Sequence, residues 1–278
     1  MTSRPRTPAR QRSVRTNGID LLVTEYDAAR TSNPPLVMLH GIGSRGVSWW
    51  PVVDRLAERF RLIALDLRGH GDSAKPDAGY RLADYAADLA GLLDALDLEH
   101  PRVLGHSLGG MVALTWAVGD PERAAAIALE DSALRSGRWS LPAFDEWLAL
   151  NAMSAADAAA AYASRYPDWT EEDCARRATI ITSTARGVFL ELRAMAETED
   201  GTDRIAPLAA IQSPVLLVYG DLAAGGMVVP EDAERLATTL RRVRIAHLPW
   251  SGHNLHRDQS AAFLALVVPF LTDPEEAI

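Results

Sequence analysis

The strongest indication of the fold is the segment Arg102-Val103-Leu104-Gly105-His106-Ser107-Leu108-Gly109-Gly110. Its apolar start is typical of a buried strand, and the pattern G-x-S-x-G is typical of a sharp turn from a strand into a helix. Such a turn strains the backbone of its serine, and a side chain at a flanking position would collide with a neighbouring element. Glycine at positions 105, 109 and 110 removes those collisions. The segment therefore predicts that Ser107 Oγ is exposed at the end of a strand.

The same turn predicts a place where negative charge is stabilised. The backbone N–H of Leu108 follows the serine at the N-terminus of the next helix, where N–H groups are free to donate. A serine beside such a donor is suited to nucleophilic catalysis. We therefore interpret the segment as a nucleophile elbow, with Ser107 as the nucleophile.

Four landmarks along the chain resemble the α/β-hydrolase superfamily, and the resemblance runs from about Leu36 to Leu271. They are the strand and turn Leu36–Gly41, the strand and loop Leu62–Ser73, the elbow at Ser107, and Ser251-Gly252-His253 after the apolar run Val243–Leu248. The order serine, acid, histidine is the one that this fold uses. The resemblance implies an α/β fold with a mostly parallel eight-stranded sheet, flanking helices and a helical cap. It also implies a second oxyanion donor, the backbone N–H of Ile42.

Hydrophobic patterning elsewhere is consistent with this fold. Asn17-Gly18 tolerates positive φ angles and separates two strand-like runs, which predicts a two-residue hairpin at the start of the sheet. The apolar runs Leu62–Leu65, Ala125–Leu129 and Val215–Tyr219 are typical of parallel strands buried on both faces. Apolar residues at helical spacing from Leu82 to Leu96 predict a helix that packs on the sheet just before the elbow.

The segment 132–207 has a different character. It contains alanine-rich helical patterns, with Ser154 and Thr170 as N-caps, and no strand-like run. By the resemblance this insertion is a cap, and its aromatic residues, among them Trp139 and Trp147, are expected to govern which substrate enters. The predicted organisation is a disordered basic leader over 1–12, a core over 13–131 and 208–278, and a cap over 132–207.

Composition limits the classes of partner. The chain of 278 residues is 48% hydrophobic, which is enough to bury one large core. A formal net charge of −9 argues against nucleic acid or an anionic membrane as the main partner. The single cysteine forms no internal disulfide, and no apolar stretch reaches the length of a spanning helix. We expect a cytoplasmic protein with a small-molecule ester or lactone as partner, no cofactor or metal, and an oligomeric state left open.

Seven histidines compete for the role of catalytic base. His253 follows the last strand-like run in a loop, so its imidazole is predicted to face Ser107. His256 is interpreted as a polar helix residue, and His40 and His106 as neighbours of the site that hydrogen-bond to the backbone. The others are assigned to loops (His70 and His100) and to a strand (His247).

The acid is where the chain departs from the commonest pattern of the superfamily. An aspartate usually stands three residues after the glycine that ends the seventh strand, but here Ala223 occupies that position. Asp131 and Glu130 at the end of the sixth strand, and Asp221 directly after the glycine, are the remaining candidates. Asp131 is preferred because zearalenone-type lactonases and certain haloalkane dehalogenases use that position. The chain resembles the lactonases also in Ser48-Trp49-Trp50.

The predicted triad Ser107, Asp131 and His253 implies hydrolysis through an acyl-enzyme. A serine nucleophile argues against the alkyl-enzyme chemistry of dehalogenases and epoxide hydrolases, which needs a carboxylate. The expected function is hydrolysis of a carboxylic ester or lactone of small or medium size. Alternatives on the same residues are carbon–carbon bond hydrolysis, perhydrolysis, and ligand binding by a catalytically silent member of the superfamily.

Overall fold

Eight strands form one sheet in the computed structural model, which describes residues 7–26, 32–134, 141–198 and 203–278. The strands are β1 (Ala9–Thr16), β2 (Ile19–Tyr26), β3 (Leu36–Leu39), β4 (Leu62–Leu65), β5 (Arg102–His106), β6 (Ala126–Glu130), β7 (Val215–Tyr219) and β8 (Val243–His247). Their order across the sheet is β1-β2-β4-β3-β5-β6-β7-β8. The β1–β2 and β2–β4 pairs are antiparallel and the other pairs are parallel, which confirms the predicted mostly parallel sheet.

The sheet opens with the predicted hairpin. Asn17 and Gly18 have φ angles of 47° and 76°, as a two-residue turn between twisted antiparallel strands requires. β1 begins at Ala9, however, so the expected leader 1–12 contains the first part of this strand. Backbone pairing from Ala9–Tyr26 to Arg12–Val23 holds these residues in the sheet. Their side chains are all exposed and therefore carry no alternating apolar signal, while residues 1–6 lie outside the described part.

Helices cover both faces of the sheet. The α-helices are α1 (Trp50–Ala57), α2 (Leu82–Ala95), α3 (Leu108–Gly119), α4 (Leu141–Asn151), α5 (Ala155–Arg165), α6 (Glu171–Ser183), α7 (Arg186–Thr198), α8 (Pro230–Thr239), α9 (Leu255–Asp258) and α10 (Ser260–Thr272). Val37 and Leu39 on β3 pack into the cluster that contains α2 and α3. Leu36 and Met38 face the opposite cluster, which contains α1 and α10. Full burial of such a side chain stabilises the fold by about 1.5–3 kcal/mol, so the sheet is a firm platform for the loops at its edge.

Residues 141–198, between β6 and β7, are helices and short connections. Ser154 and Thr170 accept hydrogen bonds from the N–H groups of Asp157 and Asp173, each at 3.1 Å, as N-caps do. Ala185 N–H donates to Gly69 O at 2.7 Å, which ties this segment to the loop after β4. Of the expected cap 132–207, residues 135–140, including Trp139, and residues 199–202 lie outside the described part. No described helix is both long and apolar enough to cross a membrane.

Candidate active site

Ser107 stands at the turn between β5 and α3 with φ 51° and ψ −117°. This is a strained conformation for a residue with a side chain. Its N–H donates to Glu130 O at 3.0 Å, and its carbonyl accepts from Gly110 N–H at 3.0 Å, so the neighbouring strand and helix hold the turn in place. The serine is only 8% exposed, less than the sequence suggests, because other loops surround the strand end.

The glycines around the serine are required by the close approach of neighbouring atoms. A Cβ on Gly105 would lie 2.6 Å from Gly109 O, and one on Gly109 would lie 2.2 Å from Leu39 O. A Cβ on Gly110 would lie 1.8 Å from Ser132 Oγ. All three distances are far below van der Waals contact, so side chains at these positions would displace the elbow.

The loop after β3 brings Ile42 next to the serine. A Cβ on Gly41 would lie 3.1 Å from Ser107 Cβ, so this loop and the elbow are in contact. His40 fixes the loop, because its Nδ1 lies 2.8 Å from Gly41 O and its Nε2 accepts from Leu67 N–H at 3.0 Å. The backbone N–H groups of Ile42 and Leu108 therefore belong to two segments that meet at Ser107.

Two buried histidines hold this loop as neutral groups. Burial lowers the pKa of His40 to about 4 and that of His70 to about 3. Each therefore keeps an unprotonated ring nitrogen at neutral pH, and His70 Nε2 accepts from Gly43 N–H at 3.1 Å. His40 hydrogen-bonds to the backbone as expected, and His70 lies in a loop as expected, where it is fully buried.

The structure brings Asp131 and His253 together. His253 Nδ1 lies 2.7 Å from Asp131 Oδ2, although the two residues are far apart in sequence. Asp131 directly follows β6 and is fully buried. It also accepts from Met227 N–H at 2.8 Å and Gly220 N–H at 3.4 Å, so its carboxylate has a fixed orientation. The loop after β7, where most members of the superfamily carry the acid, here supplies these N–H donors instead.

The other two acid candidates contact different groups. Asp221 accepts from Trp250 N–H at 2.6 Å and lies 2.7 Å from His247 Nε2 at the protein surface. The hydrogen bond from Trp250 and the contact with His247 hold the pKa of Asp221 below its ordinary value. The structure therefore does not bring Asp221 to His253.

Glu130 forms a second carboxylate–histidine pair with His256. His256 N–H donates to Glu130 Oε1 at 2.9 Å, and His256 Nδ1 lies 2.8 Å from the same oxygen. Burial alone raises the pKa of Glu130, but the electrostatic interactions with His256 and His106 and the hydrogen bonds from His256 bring it below its ordinary value. His256 lies on α9, as expected for a helix residue, but it is buried, with 2% of its surface exposed. Two adjacent acids at a strand end and two histidines after the last strand were the sequence signal for this pair.

His106 lies between the two pairs. Its ring centroid is 4.6 Å from that of His253 and 5.4 Å from that of His256. Burial holds the pKa of His106 well below its ordinary value, so the ring is neutral. Its Nε2 lies 2.9 Å from His253 O, and it thus supports the His253 loop through the backbone, as expected. Within the described ranges, no group of three or more histidines, cysteines or carboxylates could hold a metal ion.

Comparison with known proteins agrees with this fold. A family model for the α/β hydrolase fold matches residues 34–258. The chain belongs to the α/β-hydrolase family. It spans only 27% of the length of a Mycobacterium tuberculosis protein that it matches at 46% identity, over 91 residues or 33% of this chain.

Three other similar proteins have named activities. The 2-(acetamidomethylene)succinate hydrolase of Mesorhizobium japonicum is 33% identical over 68% of this chain and 71% of its own. The N-formylmaleamate deformylase of Pseudomonas putida is 28% identical over 86% of this chain and 89% of its own. The crystal structure of the enol-lactonase from Burkholderia xenovorans superposes with a TM-score of 0.75 at 25% identity, covering 94% of this chain and all of that one. The chain is thus related to hydrolases, and we conclude that it is an enzyme of this family.

Proposed function

We propose that this α/β hydrolase cleaves a carboxylic ester or lactone of small or medium size through an acyl-enzyme on Ser107. The 2.7 Å contact between His253 Nδ1 and Asp131 Oδ2 is the observation that carries the proposal. It gives the loop that follows β8 an oriented imidazole at the end of the sheet where Ser107 stands. A serine in a strained turn with an oriented base is suited to acyl transfer.

The proposed first step is attack on the carbonyl carbon. Ser107 Oγ forms a bond to that carbon while His253 Nε2 takes the hydroxyl proton. The carbonyl oxygen becomes an oxyanion, which the N–H groups of Ile42 and Leu108 stabilise; losing one such donor lowers kcat by about 10²–10³. Asp131 keeps the other imidazole proton on Nδ1, so that Nε2 is the basic nitrogen.

The second half of the cycle reverses these transfers. Protonated His253 donates its Nε2 proton to the leaving oxygen, and the alcohol departs while the acyl group stays on Ser107. His253 then takes a proton from water, whose oxygen attacks the acyl carbon. The bond from that carbon to Ser107 Oγ breaks as His253 returns the proton to Oγ, and the acid is released. In a lactone the alcohol and the acid belong to one product molecule.

The helical layer over the loops supports a substrate of limited size. A Cβ on Gly43, the residue after Ile42, would lie 3.5 Å from Ile181 Cδ1 on α6 and 3.8 Å from Phe189 Cε1 on α7. Apolar side chains therefore stand over the oxyanion loop, where they exclude water and limit the volume for the acyl group.

Hydrolysis of an acyl–nitrogen bond is the second candidate. It is favoured by the relative named N-formylmaleamate deformylase, while the neighbour named enol-lactonase favours the lactone. Both reactions begin with the same attack on an acyl carbon. They differ in the leaving atom to which His253 must deliver a proton.

A substrate panel with one variant tests the proposal. Wild-type and Ser107→Ala proteins are assayed with aryl esters, enol and saturated lactones, N-formyl amides and vinylogous diketones, and are labelled with a fluorophosphonate. We expect turnover of esters or lactones and labelling of the wild type, and neither for the variant. Folded wild-type protein without turnover or labelling would contradict the proposal, whereas turnover of the diketones alone would favour carbon–carbon bond hydrolysis.

A further inference from the structure

A cleft of about 1050 Å³ opens beside the candidate site. Its walls are formed by α6, by the segment that leads into α1, by the edge strand β1 and its neighbour β2, and by Arg257 on α9. Pockets that enclose small ligands usually measure about 300–1,000 Å³, so the cleft has room for one. Neither Ser107 nor His253 is among the described residues that line it. The cleft therefore adjoins the reacting groups and does not contain them.

Two contacts connect the cleft with the active-site loops. Arg177 Nη1, from the α6 wall, donates to Gly43 O, and Gly43 directly follows Ile42. Arg257 Nε donates to His256 Nε2 at 3.2 Å, on the same segment as His253. One end of the cleft is thus bounded by the oxyanion loop and by the segment that carries the base.

The charges at this end are not balanced. Four arginines line the cleft, and two of them have carboxylate partners, in the pairs Arg45–Asp72 at 2.7 Å and Arg176–Glu172 at 2.7 Å. Arg177 and Arg257 have no carboxylate within ion-pair distance among the described residues. Both guanidinium groups stay protonated at neutral pH. Two positive charges therefore stand together without a directly paired carboxylate.

This arrangement has an energetic consequence. Desolvation, and then the positive charge of Arg177, lower the pKa of Arg257, whereas the charges of Glu130 and Asp258 raise it. The side chain is exposed, so the repulsion between the two arginines is the penalty that a bound anion would reduce. The two terminal amino groups of Arg257 make no hydrogen bond with any described residue. A guanidinium with these groups free matches the two oxygens of a carboxylate.

We propose that Arg257 and Arg177 bind a carboxylate that the substrate carries away from the scissile carbonyl. The inference rests on the proposed function and narrows it to esters or lactones with a second, free acid group. Glu172 and Asp173 line the same cleft and reduce its positive charge, which disfavours a doubly charged phosphate more than a singly charged carboxylate. Arg257 would recognise the carboxylate directly, whereas Arg177 would add charge and hold the oxyanion loop.

Binding to catalytically inactive protein tests this inference apart from turnover. Calorimetry compares mono-4-nitrophenyl glutarate with its neutral methyl ester on the Ser107→Ala protein. We expect the anionic ester to bind at least about tenfold more tightly. Adding Arg257→Gln should reduce the ratio of the two affinities, anionic ester over neutral ester, by about tenfold or more. Arg257→Lys keeps the charge but loses the planar guanidinium, so it should have an intermediate effect.

A matched control uses Arg241→Gln, an exposed arginine before β8 and outside the cleft lining, which should leave the ratio within about twofold. An affinity ratio near one in the Ser107→Ala protein would overturn the inference. Equal decreases of that ratio for Arg241→Gln and Arg257→Gln would also overturn it. Stronger competition by inorganic phosphate than by glutarate would overturn the choice of a carboxylate. If wild type hydrolyses neither ester but the binding ratio persists, the proposed function fails and the anion site stands.

Discussion

The end of β6 carries two buried carboxylates that are adjacent in sequence, and each faces a histidine of the last loop. Asp131 pairs with His253, whose side chain is 27% exposed, while Glu130 pairs with His256, whose side chain is 3% exposed. Glu130 is the last residue of β6, and the backbone leaves the strand at Asp131, whose φ of 41° lies in the left-handed region, so the two acids reach different histidines.

The difference between the pairs lies in the second nitrogen of each imidazole. His256 Nε2 already accepts from Arg257 Nε, and its ring lies 4.7 Å from that of Trp49. His253 Nε2 has no hydrogen-bond partner among the described residues, so it is available for the proton transfer that we propose with Ser107. Two pairs of the same chemistry are thus suited to different tasks, one to proton transfer and the other to holding the loop.

Substitution of the two histidines should give the largest contrast. We expect His253→Ala to lower kcat/KM by about 10⁴-fold or more, because the serine loses its base. His256→Asn, whose amide can still donate to Glu130, should keep kcat/KM within about tenfold. Steady-state kinetics on an ester substrate measures both. Equal losses in two folded variants would mean that the second pair also transfers protons.

Glu130→Gln should lower stability and leave catalysis largely intact, which is the opposite of the effect expected for His253→Ala. Replacing the carboxylate by an amide weakens the buried, charge-assisted hydrogen bonds from His256, each worth about 1.5–3 kcal/mol, and the amide keeps the shape of the side chain. We expect a lower free energy of unfolding in urea, with kcat per folded molecule within about tenfold of wild type. A variant that unfolds like wild type but is inactive would contradict the structural role of Glu130.

The pH dependence of stability should sharpen the same contrast. Because the pKa of Glu130 is lower in the folded protein than its ordinary value of 4.5, the unfolded chain binds this proton more readily. Its stabilisation is therefore fully present above about pH 4.5 and is lost as the pH falls through the folded pKa. The free energy of unfolding of wild type minus that of Glu130→Gln should decrease in that acidic range. His40 and His70 also lose stabilising effect below their ordinary pKa of 6.5, but they do so in both proteins.

The smallest effect is expected in the helical layer, away from both pairs. Trp147 on α4 packs against Phe189 at a ring-centroid distance of 6.2 Å, and Phe189 stands over the oxyanion loop. Trp147→Ala should therefore change KM and substrate preference by a few-fold, while the rate of phosphonate labelling at Ser107 changes less than about twofold. Equal changes in substrate preference and in labelling rate would mean that the helical layer does not select substrates independently of the reaction at Ser107.

The sequence predicts the strands and the elbow because their signals are local. Continuous apolar runs mark β3 to β7, and glycines mark the positions where backbones approach closely, as at Gly105. The pairing of Asp131 with His253 lies where the resemblance placed it, and its catalytic role stays a prediction.

The features of the structure that the sequence did not predict depend mostly on contacts between segments far apart in the chain. Glu130 and His256 are 126 residues apart, and a buried carboxylate–histidine pair interrupts the apolar pattern that marks a core. The arginines of the cleft come from α6, α9 and the segment before α1, and each one alone is an ordinary surface residue. The start of β1 was missed because all its first side chains face solvent.

The central claim is that Asp131, and not a residue after β7, orients the base. Kinetics of Asp131→Asn, with Asp221→Asn as the matched control, tests it most directly. The account predicts that Asp131→Asn folds but loses about 10³–10⁴ in kcat, since an amide cannot hold the productive tautomer. Asp221→Asn should stay within about tenfold of wild type. An inactive Asp221→Asn together with an active Asp131→Asn would contradict the account.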